Sequence, residues 1–262
     1  QFKQAEAQVL STENNLKIVK SNLKSDKILF AILNHTKQRE AIIYPDGLFQ
    51  SIVKRRSGKL NYYKSDLSQD FVKKIVGIAD DLNVGFHIVS DKKEMDYIAD
   101  VIGRGTKRAF DMPVFHQELG EWLRNNWTKQ PDGMPGFTVG IPGIISLFAP
   151  YLFARINTAK VQVEMMKKLI YNTSSAIVIH GENNKKHWVD TGRLFARLAL
   201  TATCTGLTTH VMGALVEFDD IAHEVQEKLG IENRPLLFCR IGRHIKKINK
   251  SPRRGLEDVL FS

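Results

Sequence analysis

The chain has 262 residues, 43% apolar and 25% charged, with no low-complexity tract; this excludes a disordered or fibrous protein and fits one large globular domain with embellishments. A net charge of +10 and a pI near 9.5 point to an anionic partner: a phosphorylated cofactor, nucleic acid or an acidic membrane. Cys204 and Cys239 sit in apolar stretches, in neither a paired nor a metal-ligand spacing, so buried free thiols in a reducing compartment are expected.

Residues 1–27 carry Leu10, Leu16, Ile18, Val19 and Leu23 at loosely helical spacing, which predicts an N-terminal helix; residues 1–50 are taken as a helical arm. No cleavable signal is expected at the start, and the location expected is cytoplasmic. Residues 28–33 are an apolar run, and Pro45-Asp46-Gly47 marks a turn before a short helix. From Ser65 to Asp81, Leu67, Phe71, Ile75, Val76 and Ile78 recur on one helical face, with Ser68 placed to cap it. Val84–Ser90 reads as a strand, and Asp91 opens a helix through Met95, Ile98, Val101 and Ile102 that is expected to end in the turn Gly103-Arg104-Gly105.

Phe115 to Trp127 predicts an amphipathic helix, and 130–137 a dense turn. Val139 to Phe153 is apolar but broken by Pro142, Gly143 and Pro150. A spanning helix needs roughly 20 apolar residues with few breakers, so this stretch is expected to line a cavity or a subunit contact. Membrane-surface contact through 139–155 stays open, since Arg155 and Lys160 flank it. Ala176–Gly181 is a buried strand. His187 to Thr205 is a helix, with Trp188, Val189, Leu194, Phe195, Leu198, Ala199 and Ala202 on its apolar side and Gly206-Leu207 closing it. Thr208–Met212 is extended, Asp219 is expected to cap a helix through Leu229, and Pro235–Gly242 is the last strand, ending Arg240-Ile241-Gly242.

Two basic stretches carry the chemistry. Val53-Lys54-Arg55-Arg56-Ser57-Gly58-Lys59 gathers four cations, a hydroxyl and a glycine at a helix end. Arginine forks match phosphate oxygens two at a time, while lysine adds a point charge; cations also simply suit the negative pole of a helix. Near the other end stands Ser251-Pro252-Arg253-Arg254-Gly255-Leu256-Glu257-Asp258-Val259. Together the two stretches resemble the flavin-dependent nitroreductase superfamily, in a divergent branch. In that superfamily an early Arg-x-Ser-x-Lys/Arg segment and a late Arg-x-Pro-Leu-Glu-Glu-Val-like segment hold the phosphate end of FMN.

The resemblance implies an α+β nitroreductase-like fold: a central mixed or antiparallel sheet flanked by helices, with FMN at a two-fold interface of a homodimer. It assigns cofactor binding to Arg55, Arg56, Ser57, Lys59, Arg253 and Arg254, and to the flavin-ring strip Met212, Gly213 and Ala214. Gly213 stands where the superfamily has an acidic residue, and Lys59 is implied to face the N1–C2=O edge of the ring. The domain is taken as 51–262, with 105–172 as a divergent insertion or lid. The implied reaction is hydride transfer from NADH or NADPH through flavin N5 to a nitroaromatic, quinone or similar small-molecule acceptor, with no protein nucleophile. No metal site is expected, because the eight histidines form no i,i+4 pair. Alternatives are a flavin-holding protein with little turnover, or a basic non-enzymatic module on nucleic acid or an anionic membrane; nucleic acid is disfavoured because only Tyr62 and Tyr63 accompany the basic clusters.

Overall fold

The computed structural model describes residues 47–245 and the single positions 248, 252, 254, 255 and 260. The predicted N-terminal helix, the 28–33 run, Pro45-Asp46 and Arg253 lie outside the described residues. Residues 48–262 form one compact unit. Its strands are β1 (Tyr62–Tyr63), β2 (Gly85–Val89), β3 (Leu123–Arg124), β4 (Met134–Pro135), β5 (Ser175–His180), β6 (Thr208–Val211) and β7 (Pro235–His244). Its helices are α1 (Leu48–Ile52), α2 (Gln69–Leu82), α3 (Lys92–Phe110), α4 (Pro113–Trp122), α5 (Gly143–Arg155), α6 (Ala159–Tyr171), α7 (Lys185–Cys204) and α8 (Asp219–Leu229).

The main sheet has the order β1-β7-β5-β2, with β6 also on β7, and every pairing in it is antiparallel. β5 is buried at all its positions, which is why Ala-Ile-Val-Ile shows no polar alternation. Alternate residues feed two cores. Ala176, Val178 and Phe238 face one with α3, α6 and α8, while Ile177, Ile179, Cys239 and Ile241 face the other with α2 and α7. The result is a helix–sheet–helix sandwich, an α+β arrangement.

Local chemistry explains most element ends. Ser68 Oγ accepts the Phe71 amide at 3.3 Å and starts α2; Asp91 accepts the amides of Lys93 and Glu94 at 2.8 and 3.3 Å and starts α3. Gly206, at φ +74°, closes α7 as the Leu207 amide reaches back to Ala202 O at 2.7 Å.

Five expectations need correction. α3 does not turn at Gly103–Gly105 but runs on to Phe110. Gly103 lies under the Lys167 side chain, and a methyl on Gly105 would overlap the carbonyl oxygen of Ala214, so these glycines serve close packing. α4 stops at Trp122, not Trp127, because Leu123–Arg124 pairs with Met134–Pro135 and Asn125 Oδ1 takes the Trp127 amide at 2.9 Å. Trp188 and Val189 are exposed rather than packed on the apolar side of α7. Asp219 is the first residue of α8 and makes no cap; its carboxylate pairs with Arg234 at 2.6 Å. Cys239 is buried and its thiol is pushed up to about 12 by burial, but Cys204 is exposed at the end of α7.

Candidate functional site

α1 ends at Ile52, and the Arg55 amide still bonds Ser51 O at 2.8 Å. Arg56 then folds its guanidinium back onto the carbonyls of Val53 and Arg55, at 3.0 and 2.7 Å. Arg55 and Ser57 are exposed beside it. The strip beyond is pinned to β6: Ser57 bridges Thr209, and the Gly58 amide donates to Thr209 O at 3.0 Å. Gly58 cannot carry a side chain, since a Cβ would meet the Thr208 hydroxyl and lie 2.8 Å from the Tyr62 ring.

The centre of this region is Arg240, a fully buried arginine in the middle of β7. Its Nη2 donates to Gly58 O at 3.1 Å and Leu60 O at 2.9 Å, gripping the backbone on both sides of Lys59. Its Nη1 reaches Leu169 O at 2.9 Å and Thr173 Oγ1 at 3.2 Å, at the end of α6. Its Nε and Nη2 lie 3.3 and 3.1 Å from His210 Nδ1, and its guanidinium stacks 4.4 Å from the centroid of Tyr62. Arginine can only donate, so His210 Nδ1 accepts and its proton is on Nε2. Burial, then the charges of Arg240 and Lys59, hold the His210 imidazole down at about 3. Burial also lowers Arg240 to about 10 and raises the Tyr62 phenol to about 12.

Lys59 is half-buried, and its ammonium donates to Met134 Sδ at 3.1 Å, a weak acceptor. Burial lowers its pKa. Among the described residues neither Lys59 nor Arg240 makes an ion pair with a carboxylate. Two cations thus flank a neutral imidazole without a protein counter-charge. The local field is positive and suited to an electron-rich or anionic ligand.

Met134 also lines a cleft of about 450 Å³. Gly213 and Ala214 form part of its wall, with Thr106 and Phe110 of α3, Val139 to Pro142 and Ile145. A Cβ on Gly213 would meet the end of the exposed Glu217 side chain, which lies against this position. Met212 is in the core beneath, its amide bonded to Phe238 O at 3.0 Å. A second hollow of about 380 Å³, lined by Asn61, Lys168 and His244, shares Gly140 and Met165 with the cleft.

The structure therefore brings Gly213 and Ala214 to one cleft, while Lys59 reaches only its Met134 wall and is continuous with Arg55, Arg56 and Ser57 through the strip 57–59. Arg254 is exposed beyond β7. Arg240, His210 and Met134 were not among the expected site residues. The available signal was Arg240 itself, a lone cation inside the apolar strand Leu-Leu-Phe-Cys-Arg-Ile.

The sequence matches no protein-family profile and no curated protein. Solved structures do match by shape. The FMN-dependent nitroreductase of Mycobacterium smegmatis, crystallised with NADPH, superposes with a TM-score of 0.50 at 17% identity, over 82% of this chain and 96% of that one. The fold is nitroreductase-like. A nitroreductase with bound FMN from Bacteroides fragilis (TM-score 0.47, 12% identity, 80% and 95% covered) and a nitroreductase-like protein from Bacillus cereus (0.47, 10%, 82% and 94%) also match. No helix among the described residues is long and apolar enough to cross a membrane.

Proposed function

We propose that this chain is an FMN-binding NAD(P)H-dependent oxidoreductase that works as a homodimer, its sites at a two-fold interface. The observation that carries the reading is the half-buried Lys59 ammonium, without a carboxylate partner, bonded to Met134, which lines the same cleft as Gly213 and Ala214. The nitroreductase-like fold supports it. The residues present fit the cofactor. The cleft has the volume usual for a small-molecule site, Gly213 adds no side chain of its own to its wall, and the cations Lys59 and Arg240 stand behind Met134.

In this reading Arg55, Arg56, Ser57, Arg253 and Arg254 take the phosphate, and Lys59 with Met212–Ala214 borders the ring. The cofactor supplies two-electron transfer between NADH or NADPH and a nitroaromatic, quinone or similar acceptor. Lys59 holds positive charge where the reduced ring is electron-rich, and Arg240 fixes the backbone on either side of it. Gly213 and Ala214 give a wall of small residues, with the Glu217 carboxylate beside Gly213. The segment from α4 to α5, within the 105–172 insertion, lines the cleft with the apolar side chains Leu119, Val139, Ile141, Ile145 and Phe153.

The test is an absorbance spectrum of the purified protein, followed by heat release and identification of any flavin. Flavin bands with FMN in the supernatant, weakened in Arg55→Ala and Lys59→Met, support the reading. A colourless protein that takes up no added FMN, or equal flavin occupancy in parent and both variants, overturns it.

A further inference from the structure

We propose that α5 is a lipid-docking helix that lies on anionic membrane surfaces. Most surface helices turn polar residues outward; α5 does the opposite. Its inner side is small: Ser146 and Ala149 are buried, and Ala154 and the Pro150 carbonyl meet Gly120 of α4. Its outer side presents Ile144, Leu147, Phe148 and Tyr151, at i, i+3, i+4 and i+7, with 76, 53, 62 and 59% of their surface exposed. Four large apolar side chains on one face form a contiguous patch of the kind that soluble surfaces avoid.

Charge selects the occupant. From Gly133 to Val163 the chain contains no Asp or Glu, while Arg155 and Lys160 stand exposed at the end of the patch. The Arg155 guanidinium lies 4.2 Å over the Tyr151 ring, an aromatic–cation pair with one apolar and one wet end. Exposed Trp127 packs beside Gly143 at the other end. Tryptophan and tyrosine flanking an apolar face, with cations at one end, is the composition that seats a helix in the plane of a headgroup layer. α5 has 13 residues, too short to span, so it lies along the surface. The proposal does not rest on the flavin reading.

The test is flotation of the full chain with vesicles of phosphatidylcholine alone and of phosphatidylcholine with phosphatidylglycerol, at low and high salt, with light scattering for the oligomeric state. At low salt the parent should float about 10-fold better with anionic vesicles, and Ile144→Glu/Phe148→Glu should abolish flotation without changing circular dichroism or oligomeric state. A second pair, Arg155→Glu/Lys160→Glu, keeps the apolar face and should lose the anionic preference. The proposal fails if the parent ignores anionic vesicles or if both pairs float like the parent. It also fails if the Ile144/Phe148 pair dissociates the oligomer, which would make the face a contact between copies.

Discussion

His210 provides a quantitative check on the buried cationic centre. Its imidazole accepts from Arg240 and is held neutral at about 3, against 6.5 for an ordinary histidine. In the unfolded chain it protonates as pH falls below 6.5, while in the fold it does not. The folded value is depressed, so the stability it contributes is complete above pH 6.5 and is lost as pH falls through the window from 6.5 to about 3. Between pH 7 and pH 5, protonation of the unfolded state alone lowers its free energy by about 2 kcal/mol. His210→Asn preserves an acceptor for Arg240 but cannot titrate. Urea unfolding of parent and variant at pH 7 and pH 5 should show the parent losing about 2 kcal/mol more than the variant. Equal losses would refute a neutral His210 bonded to Arg240.

Further perturbations probe the same architecture. Arg240→Met leaves Leu60 O without its donor, while Gly58 O keeps the Tyr62 hydroxyl at 2.7 Å and Leu169 O keeps the Thr173 hydroxyl at 2.8 Å, so the orphaned carbonyl should cost roughly 1 kcal/mol in chemical denaturation. Gly105→Ala drives a methyl into Ala214 O, so it should cost about 2 kcal/mol and displace the 213–215 turn, seen as a changed ligand affinity in titration calorimetry. A thiol reagent should modify Cys204 rapidly in the native protein and Cys239 only after unfolding, read by mass spectrometry of digests.

Much of the scaffold was legible because it is written in local terms. Ser68 and Asp91 cap helices with their own side chains, Gly206 supplies a left-handed turn, and the run Ala176–Ile179 is apolar on both faces because the strand is central. The unread parts depend on distant residues. Nothing near Gly105 announces Ala214, so paired glycines looked like a turn. α4 ends early because of a ribbon formed with residues 134–135. Trp188 and Val189 look like core by composition, yet the face they occupy on α7 meets no other described element closely enough to bury them. Of the site, the strip from Arg55 to Lys59 was visible as a cluster of charge. Arg240 stood out as a lone cation in an apolar strand, but its role could not be read locally, since its partners lie 30 to 182 positions away in the chain.

The position of β7 has a consequence for how the protein is made. Every pairing in the main sheet except β2 with β5 involves this one strand. A ribosome delivers β1, β2, β5 and β6 before it reaches Pro235, and in that interval β1 and β6 have no edge to join. The nascent chain then exposes its apolar strand faces and lacks the guanidinium that ties residues 58–60 to α6. Assembly of sheet and site is therefore withheld until translation has passed residue 244, and premature termination upstream of β7 yields a polypeptide destined for chaperones or proteolysis rather than a smaller working fragment.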